Sequence, residues 1–234
     1  MAEATGAGAP LPPGDRAVPA ATIPTPPSRL DALVKRISWS KGRVIHRIHP
    51  AIYAADQFNP GPKGNARFSP IFDAKGNGIP TIYGGTTFDC AAMETVFHDV
   101  PFVAGLKTHA KRKLRQHLHS QIVVTADLQL ADLTGTALRK LGIMRGDLID
   151  SEKNVYPQTR AWAEAIHARC KDVQGLYWIS RQDDRAVAII LFGDRMGATT
   201  LTAHAPSADI VDDAATYADV LKLAARIGVR VTGK

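Results

Sequence analysis

Residues 67–99 read RFSPIFDAKGNGIPTIYGGTTFDCAAMETVFHD, and this stretch decides how the rest of the chain is interpreted. A glycine-rich turn precedes a short extended segment that ends near Tyr83, and the pattern predicts a helix over 88–98. Thr86 or Thr87 can cap the start of that helix, because a threonine side chain accepts a hydrogen bond from the first free backbone amides. The stretch is therefore predicted to form a strand–turn–helix unit.

Glu94 is placed near the middle of this predicted helix, whose other side chains are almost all apolar. A helix that is apolar on nearly every face is expected to be buried, and a buried carboxylate is costly unless it is paired, hydrogen-bonded or used. One interpretation is a structural ion pair with Arg47 or Arg67. The other is a functional carboxylate, which is favoured because an arginine, a tyrosine and this glutamate lie close together in the sequence.

Composition indicates an ordinary folded protein with an anionic partner. The chain has 234 residues, 45% of them hydrophobic, and a formal net charge of +7. That charge favours nucleic acid, a phosphate-rich ligand or an acidic protein without choosing among them. The basic run at 107–119 is predicted to be a solvated surface helix, with a nucleic-acid patch as the alternative. Its three histidines have no cysteine or carboxylate at zinc-ligand spacing, so no metal site is predicted.

The cellular compartment is predicted from the apolar runs and the cysteines. The longest apolar run, at 186–192, is too short to span a bilayer, and the N-terminus has no basic segment followed by an apolar core, so no secretory signal is predicted. Cys90 and Cys170 are predicted to be buried thiols in helices. These features predict a cytoplasmic protein with no membrane partner.

The chain is predicted to form one folded domain behind a flexible leader. Residues 1–28 are rich in Ala, Pro and Gly and are assigned to the leader, whereas 29–234 are assigned to a single folded domain. In the strand predicted over 43–49, Arg47 shares a face with Ile45, which is unusual for a solvated arginine. The other predicted elements are a helix at 29–37, strands at 121–125, 128–133, 175–181 and 186–192, helices from 136 and 156, a helix capped by Asp213, and an edge strand at 229–231.

Five positions, taken in order, resemble the RES-domain toxins of bacterial RES/Xre-type toxin–antitoxin systems, a family labelled by an arginine, a glutamate and a serine. Arg47 ends the segment VIHR, Arg67 opens RFSP, and Tyr83 lies in IYGG. Glu94 lies in AAMETVF and Ser180 in GLYWISR. Each motif alone is weak, but their order and spacing together are fairly specific over about residues 40 to 200.

The resemblance implies both a fold and an activity. The implied fold is α+β, with a twisted mixed β-sheet core and flanking helices, similar to ADP-ribosyltransferase toxins. The implied function is the toxin component of a type II toxin–antitoxin pair that consumes intracellular NAD by cleaving the nicotinamide–ribose bond, through hydrolysis, phosphorolysis or ADP-ribosyl transfer. NAD would be the substrate, no further cofactor or metal would be required, and the partner would be an Xre-like antitoxin in an assembly that can contain a toxin homodimer.

The matched residues carry the implied roles. Glu94 would stabilise positive charge that develops on the ribose, while Arg47 and Arg67 would hold the diphosphate. Tyr83 would stack on nicotinamide or donate from its hydroxyl, and Ser180 would bind the ligand or orient the glutamate. Two other functions remain open: a basic toxin that binds or cleaves RNA, and a non-enzymatic binding module in which the glutamate is a structural pair.

Overall fold

The computed structural model describes residues 23–233, and six α-helices occur in that range. The helices are α1 (Leu30–Leu33), α2 (Phe88–Met93), α3 (Gly135–Leu141), α4 (Arg145–Leu148), α5 (Tyr156–Arg169) and α6 (Ala214–Arg226). The strands are β1 (Arg36–Trp39), β2 (Val44–Pro50), β3 (Ile71–Phe72), β4 (Gly78–Ile79), β5 (Thr81–Gly85), β6 (Lys107–Ala110), β7 (His117–Val124), β8 (Leu128–Asp132), β9 (Gly175–Ile179), β10 (Val187–Phe192), β11 (Leu201–Ala203), β12 (Ala208–Asp209) and β13 (Val229–Thr232). None of these helices is long and apolar enough to cross a membrane.

One mixed sheet of nine strands organises the described chain. Its order is β1-β8-β9-β10-β5-β2-β7-β11, and β12 also pairs with β7. All of its pairs are antiparallel except β8 with β9. Two small sheets, β3–β4 and the parallel pair β6–β13, lie outside it. The predicted α+β class with a mixed sheet core is confirmed.

The sheet is covered on both faces near its centre. Every residue of β10 is buried, as its unbroken apolar sequence predicts for a central strand. Successive side chains of a strand point to opposite faces, and accordingly Ala188 and Ile190 pack with α5 while Ile189 and Leu191 pack in a separate cluster on the other face. A third cluster joins α2 and α6 to the sheet. The helices α2 and α5 therefore pack against the central part of the sheet.

The two central strands β2 and β5 pair at one position and then part. Their only registered pair in the described chain is His46 with Gly85, whereas β2 pairs with β7 along seven positions, from Val44 with Val123 to Pro50 with His117. The β2–β5 junction therefore opens into a gap on the side of Pro50 and Thr81, within the middle of the sheet.

Two of the predicted helices are wrong because strand pairing prevails over local pattern. The helix predicted at 29–37 is limited to α1, and its second half is β1, which pairs with β8. The basic run predicted as a surface helix at 107–119 forms β6, a 3-10 turn at Lys111–Lys113 and the start of β7. In β7 the buried positions alternate over its second half, which is the two-residue period of a strand.

The packed chain begins before the predicted leader boundary at residue 28. Ile23 is 5% exposed, and its backbone amide donates to Gln158 Oε1 at 2.6 Å. Trp162 Nε1 donates to the carbonyl of Pro24 at 2.7 Å. Residues 23–28 therefore lie along α5 and belong to the folded unit, while 1–22, the rest of the predicted leader, lie outside the described residues.

Both cysteines are buried free thiols, as predicted. Cys90 lies in α2, and Cys170 follows the last residue of α5. Burial raises the pKa of the Cys90 thiol to about 12 and that of Cys170 to about 11. The two thiols are therefore protonated and inert at neutral pH.

Candidate active site

The helix α2 ends earlier than predicted, and Glu94 is its C-terminal cap. Thr87 caps the N-terminus, accepting from the Cys90 amide at 3.0 Å, which confirms one of the two predicted caps. The last helical residue is Met93, not 98, and Glu94 has φ −78° and ψ −7°. Glu94 is half-buried at this helix end. The carboxylate therefore projects from a helix terminus and not from the middle of a buried helix.

Ser180 holds the Glu94 carboxylate. The serine hydroxyl donates to Glu94 Oε1 at 2.5 Å, although 86 residues separate the two in the chain. Ser180 is fully buried, and its oxygen also accepts from the backbone amides of Gln182 and Asp183, both at 3.0 Å. The turn after β9 thus fixes the hydroxyl, and the hydroxyl fixes one oxygen of the carboxylate.

The structural ion pair considered for Glu94 is absent from the part of the chain that the structure describes. No salt bridge joins Glu94 to Arg47 or Arg67 in residues 23–233. The carboxylate nevertheless acts on Arg67 and Tyr83 through its charge, because it favours the protonated form of both. Glu94, Ser180, Arg67 and Tyr83 accordingly form one electrostatic cluster, called here the Glu94 cluster.

Arg67 is buried beside α5. Its Nη1 donates to the carbonyl and the hydroxyl of Ser151 at 3.0 and 2.8 Å. Its guanidinium carbon lies 5.0 Å from the ring centre of Tyr156, and Nη2 is 3.4 Å from the Tyr156 hydroxyl. Burial lowers the pKa of Arg67, and the charges of Tyr156 and Glu94 oppose that effect. A guanidinium in such surroundings keeps its positive charge at neutral pH.

Tyr83 is held by its hydroxyl and its ring. The hydroxyl oxygen accepts from the Phe68 amide at 2.9 Å, and the ring stands edge-on to Trp178 with centroids 6.3 Å apart. Burial raises the pKa of the Tyr83 hydroxyl, and the charge of Glu94 adds to that effect. The hydroxyl is therefore neutral and can still donate a hydrogen bond.

Arg47 lies across the gap between β2 and β5. Its side chain is buried, and Nη1 alone donates to three carbonyls, of Ala54, Ala55 and Gln57, at 3.3, 2.7 and 3.0 Å. Burial lowers the pKa of Arg47 to about 10, and the charge of Asp56 opposes that effect. The arginine remains charged at neutral pH and organises the loop after β2.

The gap between β2 and β5 contains a cavity of about 180 Å³, called here the cleft. The residues that line it are Arg47, Ile48, His49 and Pro50 of β2, Thr81 and Tyr83 of β5, and Tyr53, Asn59 and Ser69. Arg47 and Tyr83 are thus brought to one cavity from opposite strands. The other three predicted residues, Arg67, Glu94 and Ser180, do not line the cleft. They are connected to it through Tyr83, which belongs to the Glu94 cluster.

His49 is a cleft residue that sequence reasoning missed. Its Nδ1 lies 3.1 Å from the Pro50 carbonyl and its Nε2 lies 2.7 Å from the Ser120 hydroxyl. Burial and the charge of Arg47 lower the pKa of His49 to about 4, so the ring is neutral at neutral pH. The signal was present in the sequence, because strand alternation places His49 on the same face as Arg47.

No cluster of three or more histidine, cysteine, aspartate or glutamate side chains suited to a metal ion occurs in residues 23–233. The cleft and the Glu94 cluster instead combine arginines, hydroxyls and a single carboxylate. Such a set binds phosphate oxygens and stabilises developing positive charge.

The sequence over residues 44–213 matches the RES domain family. The chain belongs to this family. This RES domain is also similar in fold to one chain of the crystal structure of the M. tuberculosis MbcT-MbcA toxin–antitoxin complex, with a TM-score of 0.58 and 19% sequence identity, covering 83% of this chain and 94% of that one. No curated protein matches it by sequence.

The matched region of the RES domain contains all five predicted site residues. Four of them, Arg67, Tyr83, Glu94 and Ser180, form the Glu94 cluster, and the fifth, Arg47, faces Tyr83 across the cleft. The resemblance located these positions, whereas the structure gives the contacts among them.

Proposed function

We propose that this RES domain is the toxin component of a type II toxin–antitoxin pair and that it consumes NAD by cleaving the nicotinamide–ribose bond. The observation that carries the proposal is the Glu94 carboxylate, held by Ser180 at 2.5 Å and acting through its charge on the buried Arg67 guanidinium. Membership of the RES family supports the proposal. The similarity to a chain from a toxin–antitoxin complex supports the toxin assignment.

A single carboxylate is sufficient to catalyse cleavage of the nicotinamide–ribose bond. In NAD the nicotinamide nitrogen carries a formal positive charge, so the departing ring takes the electron pair of the C–N bond and leaves neutral, without a proton. Glycosidases need a second carboxyl group to protonate their leaving group. Nicotinamide leaves without a proton, so no second carboxyl group is needed here. What remains is the positive charge that develops on the ribose, and Glu94 stabilises it.

Ser180 acts on this step through Glu94. Its hydroxyl donates a hydrogen bond to Oε1 of the carboxylate. The other oxygen, Oε2, can then accept from a ribose hydroxyl or face the anomeric carbon. Because Ser180 is fully buried, it is a positioning residue and does not contact the ligand.

The two arginines serve the diphosphate. The three carbonyl contacts of Arg47 use only Nη1, so Nη2 and Nε can donate to a ligand in the cleft. Arg67 contacts Ser151 and Tyr156 through Nη1 and Nη2, which holds its charge beside Glu94. Together the positive charges of the two arginines offset the negative charge on the diphosphate oxygens. Tyr83 presents its ring or hydroxyl to nicotinamide.

The ADP-ribosyl group then passes to an acceptor. With water, the oxygen bonds to the anomeric carbon and a proton goes to solvent, giving ADP-ribose. With phosphate, a phosphate oxygen bonds to the same carbon, giving ADP-ribose 1-phosphate, and with a protein side chain the product is an ADP-ribosylated protein. The proposal includes an Xre-like antitoxin as the partner, a toxin dimer within the complex, and action in the bacterial cytoplasm.

The test is NAD concentration over time with purified protein, with and without phosphate. The variant is Glu94→Gln, and the matched control is Glu164→Gln, whose side-chain oxygen accepts from the Phe72 amide and not from a member of the cluster. Wild type and the control should consume NAD, whereas Glu94→Gln should lose activity while keeping its circular dichroism spectrum. Phosphate dependence would identify the acceptor.

Two results would contradict the proposal. Persistence of NAD with folded, antitoxin-free protein, in water, phosphate and a cell extract that supplies protein acceptors, would exclude NAD cleavage. Salt-dependent binding or cleavage of RNA by the same preparation would then support the basic-toxin alternative. Full activity of Glu94→Gln would leave NAD cleavage standing and remove the role of the carboxylate.

A further inference from the structure

A second cavity, of about 260 Å³, adjoins the Glu94 cluster. It is connected to the cluster in two ways. Tyr156, which lines it, contacts the Arg67 guanidinium, and the backbone amide of Gln182, which also lines it, donates a hydrogen bond to the Ser180 hydroxyl. The second cavity therefore adjoins two members of the Glu94 cluster, Arg67 and Ser180.

Its charged lining is balanced. Lys153 Nζ lies 2.6 Å from Asp99, and Arg181 forms an ion pair with Glu152 while its Nη1 donates to the Ser151 carbonyl at 2.9 Å. The bonds from Lys153 and His98 lower the pKa of Asp99, so that carboxylate is ionised at neutral pH. The lining thus offers two cations and two carboxylates.

An aromatic ring stands at the edge of the same cavity. Phe102 lines it and is 80% exposed, beside the partly exposed Val103. Exposed aromatic rings of this kind serve as stacking platforms for nucleobases, because every base has a π-face. The second cavity therefore combines cations for a phosphate, carboxylates for hydroxyl groups and a ring for a base.

We infer that the second cavity binds the adenosine monophosphate half of the dinucleotide. This inference rests on the proposed NAD cleavage and assigns the two halves of the substrate. Phe102 stacks on adenine, the carboxylates of Asp99 and Glu152 accept from the ribose hydroxyls, and Lys153 and Arg181 face the phosphate. The nicotinamide half then occupies the smaller cleft beside Tyr83.

The position of Arg67 is consistent with this assignment. Its guanidinium contacts Tyr156, which lines the second cavity, and its charge acts on Tyr83, which lines the cleft. A dinucleotide with its ends in these two cavities carries its diphosphate past Arg67. The same pose brings the nicotinamide ribose to Glu94, where the bond breaks.

The first experiment measures binding and does not depend on turnover. Calorimetry is performed with AMP, adenosine and inorganic phosphate on wild type, Phe102→Ala, Lys153→Met and the control Leu221→Ala, which removes a partly exposed apolar side chain from α6. Base stacking of about 1–3 kcal/mol corresponds to a loss of about 5- to 150-fold in AMP affinity for Phe102→Ala. Lys153→Met should weaken AMP but not adenosine, and the control should match wild type.

The inference is overturned if AMP fails to bind wild type, or if Phe102→Ala and Lys153→Met bind AMP as tightly as wild type does. Phosphate that binds as tightly as AMP would also overturn it, because the cavity would then recognise only an anion.

The second experiment separates this inference from the proposed function. Turnover of NAD is compared with turnover of nicotinamide mononucleotide, which lacks the AMP half. Phe102→Ala should lower the ratio of kcat/KM for NAD to kcat/KM for the mononucleotide by about 5-fold or more, through KM for NAD. If wild type turns over NAD and the ratio is unchanged, the function stands and the inference fails. If no NAD is consumed but AMP binding depends on Phe102, the cavity assignment stands and the function fails.

Discussion

Replacing Ser180 with alanine removes the hydroxyl that fixes the Glu94 carboxylate. The hydroxyl makes three hydrogen bonds, one to Glu94 at 2.5 Å and two from the amides of Gln182 and Asp183 at 3.0 Å. A bond to a charged group contributes about 1.5–3 kcal/mol, and each amide bond about 1 kcal/mol. We therefore expect Ser180→Ala to lower the free energy of unfolding by about 3.5–5 kcal/mol.

The same substitution should reduce turnover by releasing the carboxylate. A displacement of about 1 Å in a catalytic group can reduce the rate by about 100-fold, and we expect a fall of that order in kcat. KM for NAD should change little, because Arg47 and Arg67 do not contact Ser180. Loss of a transition-state electrostatic contact typically reduces kcat by about 100- to 1,000-fold, which is the expected effect of Glu94→Gln.

A double-mutant cycle tests whether Ser180 acts through Glu94. Both single variants and the double variant are assayed for NAD turnover below their unfolding transitions, with urea denaturation giving the unfolding free energy of each. Once Glu94 has been replaced, Ser180→Ala should reduce kcat by less than about 3-fold. The two effects on activity are thus expected to be strongly non-additive.

Two outcomes would refute this reasoning. An equal reduction of kcat by Ser180→Ala with and without Glu94 would mean that the serine acts independently of the carboxylate. A loss of about 3.5–5 kcal/mol in unfolding free energy with unchanged kcat would make Ser180 a purely structural residue of the turn.

Three further predictions concern packing, pH and thiol chemistry. Gly84→Ala should lower the free energy of unfolding by about 1–3 kcal/mol in urea denaturation, because the added Cβ would lie 2.3 Å from Ile45 Cγ2. Burial lowers the pKa of His49 to about 4 in the folded protein, against about 6.5 for a histidine in an unfolded chain, so the unfolded chain binds the proton first as the pH falls. The free energy of unfolding should therefore fall by about 2 kcal/mol between pH 7 and pH 5 through this residue alone, and His49→Gln should remove that part of the pH dependence. Cys90 and Cys170 should react with a thiol reagent at pH 8 about 100-fold more slowly in native than in urea-unfolded protein, since both are buried with raised pKa values. Rapid reaction of either thiol in the native protein would contradict its burial.

Local sequence signals predicted the elements that depend on their own residues. The strands near 175–181 and 186–192 are observed as β9 and β10, and the helix from Tyr156 is observed as α5. The N-terminal cap of α6 is Asp213, which accepts from the Thr216 amide at 2.8 Å. In each case the signal is a run of apolar residues or a capping side chain, which acts within a few positions of the chain.

Strand pairings and side-chain contacts between distant segments could not be predicted from the sequence. The basic run was interpreted by its charge, yet residues 117–124 form a strand because β2 offers seven paired positions to them. The contact between Glu94 and Ser180 likewise depends on the C-terminal ends of α2 and β9 lying next to each other. Only the resemblance to a family placed these two residues in one site, since no local pattern relates positions 86 residues apart.

Two glycines explain why the cleft opens where it does. A Cβ at Gly84 would meet Ile45 of β2, and a Cβ at Gly85 would lie 2.6 Å from Cys90 Sγ in α2. The constraint is space and not backbone conformation, because neither glycine has a positive φ. The missing side chains let β5 approach both β2 and α2 at the single pair His46–Gly85. Tyr83, two residues earlier, is the first bulky side chain beyond this point, and there the strands have separated. The close contact at the glycines thus anchors α2, whose last turn presents Glu94, and also starts the gap that Tyr83 and Arg47 line.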